Sequence, residues 1–122
     1  MANYMMTSAE KARVTKGITF ISEVSSVNLT LDHAENLLCV ETEEVTCNFI
    51  IPLNATVAFP IGTEIHFFNG TIFAADSYVT AVENVELFSK SSYTHIAVGG
   101  IATLKKITAD AWILYGDLIT SA

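Results

Sequence analysis

The chain has 122 residues, 51% of them hydrophobic and 16% charged, which is the size and apolar content of one folded domain and excludes a wholly disordered polypeptide. A formal charge of −7 repels polyphosphate and argues against nucleic acid or an anionic membrane as the main partner. Apolar runs such as Phe49-Ile50-Ile51 and Val57-Ala58-Phe59 end within three residues, whereas a membrane-spanning helix needs about 20.

No basic stretch followed by an apolar one opens the chain, so the reading is of a protein without a secretory leader, starting at its own Met and made in a cytoplasm. Residues 1–16 stand apart in charge. Lys11, Arg13 and Lys16 oppose only Glu10, which leaves +2 there and −9 on the remaining 106 residues. Ser8 could cap a helix to Val14, but Val14, Thr15 and Gly17 would end it within two turns, so a short arm is expected, followed by a single β domain over 17–122.

Val, Ile and Thr make up 36 of the 122 residues, a composition that favours pleated sheet. Strands are predicted at Ile18–Ile21, Val27–Leu31, Leu37–Glu41, Val45–Ile51 and Thr63–Phe68. Alternation of Val27, Leu29 and Leu31 with Asn28 and Thr30 gives one such strand a core face and a water face. Asn69-Gly70 carries the chemistry of a type I′ turn, which would join Glu64–Phe68 to Thr71–Ala75 as a hairpin. Further strands follow at Thr71–Ala74, Tyr78–Phe88, Thr94–Val98, Ala102–Ile107 and Ala111–Tyr115, bounded by turn residues such as Gly99-Gly100. The expected fold is all-β: an antiparallel β-sandwich or jelly-roll-like barrel with a short N-terminal arm.

A hairpin closing through Thr42-Glu43-Glu44 would set Cys39 and Cys47 opposite each other, a geometry that permits a disulfide, but the expected state in a cytoplasmic product is a reduced, half-buried pair, with the bridge as the alternative. Two cysteines cannot complete a zinc site, and His33, His66 and His95 share no ligand spacing. Glu41, Glu43 and Glu44, like Asp32, His33 and Glu35, read as solvated turns. The sequons at Asn28, Asn54 and Asn69 read as chance in a Thr-rich sheet. No nucleophile elbow, phosphate-cradling loop or assignable carboxylate pair is present, so no enzyme, catalytic residue, metal or cofactor is expected.

Two segments carry more. The run Phe59-Pro60-Ile61-Gly62-Thr63-Glu64-Ile65 precedes Trp112-Ile113-Leu114-Tyr115-Gly116-Asp117 by about 50 residues. Pro60 sets an extended backbone at Phe59, Gly62 permits a turn, and Trp112 brings a large apolar side chain to a late strand, so these are folding residues first. In this order they resemble a small β module of tailed-bacteriophage virion proteins, found on fibres, tail proteins and head-attached proteins, over roughly Val27 to Ile119. The chain departs from the module after Phe68, where a longer Gly-rich hairpin is usual.

The resemblance implies a virion structural protein, made in the host bacterial cytoplasm. The expected role is capsid decoration: a knob, expected as a homotrimer, bound to the major capsid protein or another virion protein through Lys11, Arg13 and Lys16 of the arm. A tail-fibre or receptor-binding tip is the alternative, with Tyr78, Phe88 or Tyr93 in loops against a host-surface glycan. A host-encoded β-sandwich binding module unrelated to virions is a further reading, because such modules share composition without sharing function.

Overall fold

A computed structural model describes residues 17–41, 45–70 and 77–120. Among the described residues eleven strands form two sheets: β1 (Ile18–Ile21), β2 (Ser26–Asn28), β3 (Leu37–Val40), β4 (Cys47–Ile51), β5 (Glu64–Asn69), β6 (Ser77–Ala81), β7 (Glu86–Ser89), β8 (His95–Ile96), β9 (Ile101–Thr108), β10 (Ala111–Gly116) and β11 (Leu118–Ile119). One sheet has the order β1-β3-β5-β9-β10-β7 and the other β11-β8-β6-β4-β2. The architecture is the expected all-β sandwich.

Strand direction differs from the antiparallel expectation. Five of the nine ladders among the described residues are parallel; four of them arise because from β1 to β6 successive strands cross from one sheet to the other and return beside the strand two earlier, and the fifth pairs β7 with β10. Parallel neighbours need a crossover, and here the facing sheet supplies it. Antiparallel pairing enters where β9 joins β5 to β10, and where β8 joins β6 to β11.

Alternation selects the buried face of each strand. Leu38 and Val40 of β3, Phe49 and Ile51 of β4, Ile65 and Phe67 of β5, and Leu104 of β9 are fully buried. Phe49 and Phe67 meet across the two sheets with ring centroids 4.7 Å apart. Leu29 is buried as expected, but Leu31 leaves the strand in a 3-10 turn and is exposed.

Three local expectations are corrected. Asn69 is no turn residue: it ends β5 in register with Val40, is wholly buried, and donates its side-chain amide to the Ile96 carbonyl at 2.8 Å. Gly70 N–H donates to the Val40 carbonyl at 2.9 Å, so the tertiary partners outcompete the local turn preference. Thr71–Ala75, the other arm of that hairpin, lies outside the described residues.

Secondly, Cys39 and Cys47 do not face each other. Cys39 sits in β3 and Cys47 in β4, strands of opposite sheets, and both thiols are free. Thirdly, the Tyr78–Phe88 stretch breaks into β6 and β7 of opposite sheets at Val82–Val85, where Asn84 takes a left-handed φ of 73°. The short β11 carries no pattern of its own in the sequence.

Candidate functional site

The two segments that carry the resemblance pack against each other. Phe59 stands edge-on to Trp112 with ring centroids 5.3 Å apart, and both are buried. Trp112 follows a bulge in β10 that puts it opposite Lys106 of β9, so the lysine points inward. Lys106 is 2% exposed, in line with Leu104 and Ala102 on the core face.

The Lys106 ammonium is satisfied from one side by the chain around Phe59. It donates to the Phe59 carbonyl at 2.7 Å and to Asn54 Oδ1 at 2.6 Å, and lies 5.8 Å from the Trp112 ring centroid. Burial lowers its pKa from the ordinary lysine value, while the Asp110 carboxylate acts in the opposite sense. Asp110 in turn accepts from Asn54 N–H at 2.8 Å. Lys106, Asn54 and Asp110 thus lock the loop before β5 to the β9–β10 hairpin.

The motif turns are equally committed. Thr63 donates its hydroxyl to the Pro60 carbonyl at 2.6 Å, Gly62 N–H donates to the Lys106 carbonyl at 2.8 Å, and Lys106 N–H donates to the Thr63 carbonyl at 3.0 Å. Gly62 has φ +94°, a conformation open to glycine. At the other end Asp117 Oδ2 accepts from Ile101 N–H at 3.0 Å. Gly116, φ +130°, leaves no room for a Cβ, which would press on the Ile101 carbonyl oxygen and lie 2.7 Å from Ala102 Cα.

The remaining candidates spread out. Lys11, Arg13 and Lys16 lie outside the described residues, as do Glu43 and Glu44. His33 Nδ1 accepts from Thr30 N–H at 2.9 Å, and burial lowers its pKa despite Asp32. Glu35 accepts from Glu64 N–H at 2.9 Å, so this turn is a cap on β5. His66 contacts Thr103 Oγ1 at 2.8 Å, and His95 stacks on Tyr78 at 4.8 Å between ring centroids. Tyr78 is therefore a strand residue of β6, not a loop aromatic; Phe88 lies in β7 and Tyr93 just after a 3-10 turn at Lys90–Ser92. Among the described residues no group of three or more His, Cys, Asp or Glu could hold a metal ion, and no helix is long and apolar enough to cross a membrane.

Sequence reasoning missed Lys106, Asn54 and Asp110. The available signal was the alternation Ala102, Leu104, Lys106, which continues the core face onto a charged residue.

The outward face of the six-stranded sheet forms three rows in register. The first, Phe20, Cys39, Phe68 and Ile101, is apolar across four strands. The second runs Ile18, Leu37, His66, Thr103, Tyr115, and the third Glu64, Lys105, Ile113, Phe88. Glu64 carries its own counter-ion, Lys105 Nζ at 3.4 Å. Scans of protein-family models, curated proteins and solved structures return no match to this chain.

Proposed function

We propose that the chain is a structural protein of a tailed-bacteriophage virion, a capsid-decoration protein that binds the outer shell as a homotrimer. The observation that carries this reading is the meeting of its two motif segments. Phe59, Gly62, Thr63 and Trp112 serve one brace inside the sandwich, while Gly116 and Asp117 fix the opposite end of β9 at Ile101. A module defined by such residues is defined by how it holds its shape, which suits a load-bearing virion component.

Self-association is supported by the β1-β3-β5-β9 half of the outer face. Phe20 is 55% exposed and Ile101 51%, within a continuous apolar row. Soluble monomers rarely leave large contiguous apolar patches to water. On a chain of −7, copies repel except where charge cancels, and Glu64 with Lys105 cancels it on this face. A second copy is therefore the occupant that fits. In this reading Lys11, Arg13 and Lys16 engage acidic shell surface, and three copies multiply that weak contact.

The test is light scattering of the full chain, alone and after mixing with phage shells lacking it. A mass near three times 13.2 kDa and saturable shell binding are expected, with binding lost when Lys11, Arg13 and Lys16 are all replaced by Ser. A monomer that ignores shells overturns the proposal. The tail-tip alternative gains from one observation: Phe88 and Tyr93 are both exposed at one end of the sheet.

A further inference from the structure

Beyond β9, at the β10–β7 end of the six-stranded sheet, the surface folds into a groove that neither the brace nor the apolar row uses. Lys90, Ser91, Tyr93 and Tyr115 line a cavity of about 340 Å³, and Phe88 continues it past Tyr115 as a second cleft of about 290 Å³. The first volume lies at the low end of the small-molecule range, about 300–1,000 Å³, and the second just below it.

Three aromatic rings surround this groove half in water: Phe88 at 48% exposure, Tyr93 at 40% and Tyr115 at 47%. One exposed aromatic is ordinary, whereas Tyr93 in the first cleft, Phe88 in the second and Tyr115 lining both form a ready-made contact surface. The rim is also held in an uncommon backbone. Ser91 and Ser92 both have left-handed φ, 56° and 59°, and Tyr93 N–H closes the turn on the Lys90 carbonyl at 3.1 Å. Consecutive left-handed residues other than glycine are rare, and such strain gathers where a surface must be held in one shape for a ligand.

We infer that this groove is a saccharide-binding site that takes sugar rings bearing a carboxylate. Aromatic faces carry negative π charge and stack on the polarised C–H faces of a pyranose, and the tyrosine hydroxyls and Ser91 match its hydroxyls. The Lys90 ammonium has no ion-pair or hydrogen-bond partner among the described residues and supplies the cation for the acid. A purely apolar ligand would desolvate that ammonium and both phenols without replacing their water. The inference stands on the groove alone and holds for a copy on the head or on the tail.

The test presents the full chain to an array of immobilised oligosaccharides bearing uronic and sialic acids, beside their uncharged counterparts. Retention on acid-bearing members is expected, falling at least tenfold in Tyr115→Ala, whose thermal melting checks that the fold is kept. Lys90→Met should retain the stacking but bring acid-bearing and uncharged members to within about twofold of each other. Silence across the array, retention of uncharged members alone, or full binding by Tyr115→Ala overturns the inference. Shell binding by Tyr115→Ala should equal that of the full chain, so failure of this site and failure of the decoration reading are read separately.

Discussion

Lys106 Nζ and Asn54 Oδ1, 52 residues apart in sequence, are joined at 2.6 Å inside the sandwich, where the lysine is almost wholly excluded from water. The direct acceptors of this cation, Asn54 and the Phe59 carbonyl, are both neutral. Hydrogen bonds to a charged group contribute about 1.5–3 kcal/mol, so Asn54→Ala should lower stability by about 2 kcal/mol in urea unfolding. Unchanged stability would mean that water replaces the amide.

Two groups give the protein opposing alkaline responses. Burial pushes the Cys47 thiol up to about 11, from an ordinary value of 9.0. The unfolded chain then loses this proton first, so its stabilising contribution is complete below pH 9 and is lost as pH rises towards 11, up to about 3 kcal/mol. Lys106 is lowered, so the unfolded chain holds its proton longer and stability rises with pH between the folded value and 10.5. Denaturation at pH 8–11 should show a steeper alkaline loss in Lys106→Met than in the parent, and a shallower one in Cys47→Ala.

Replacing Trp112 with Ala removes the partner of Phe59 and one wall of the Lys106 site. A fully buried aromatic truncated to Ala costs about 3–5 kcal/mol, and chemical denaturation should give a value in that range. A loss below about 1 kcal/mol would be incompatible with a ring 1% exposed.

The two motif glycines should differ. Gly62 has open space around its Cβ position and only its φ of +94° to oppose a side chain, so Gly62→Ala should cost about 1–2 kcal/mol. Gly116 adds contact with the backbone of Ile101 and Ala102, and Gly116→Ala should cost about 3–5 kcal/mol. Equal melting temperatures for the two variants would remove this distinction.

Strand content was largely legible, strand partnership was not. Ile18–Ile21 is found with the bounds that alternation and flanking turn residues predict, since those signals are local. Which strand lies beside β3 depends on where the chain goes after Glu41. Thr42-Glu43-Glu44 suits a hairpin, yet β4 lies in the other sheet, a choice expressed in packing between the sheets such as Phe49 against Phe67. Asn69-Gly70 is the sharpest case. Its turn chemistry is real, but a buried Asn with the Ile96 carbonyl and two further backbone bonds to Gly99 and Gly100 gains more in the strand. In the candidate site the aromatic partners were legible as core, whereas Lys106 was hidden by its charge and the groove by distance, because Phe88 and Tyr115 are neighbours only after β7 and β10 pair.

The position of β9 has a consequence for synthesis on the ribosome. β1, β3 and β5 emerge in order and can stack as they appear, but the free edge of β5 is covered only by Ile101–Phe68 pairing, more than 30 residues later. Until then the nascent chain carries an unpaired edge flanked by Ile65 and Phe67, a template for joining another chain. Ribosomes stalled before Ile101 should therefore hold nascent chains that recruit a holdase chaperone, and those stalled late enough to free β9 and β10 should release it.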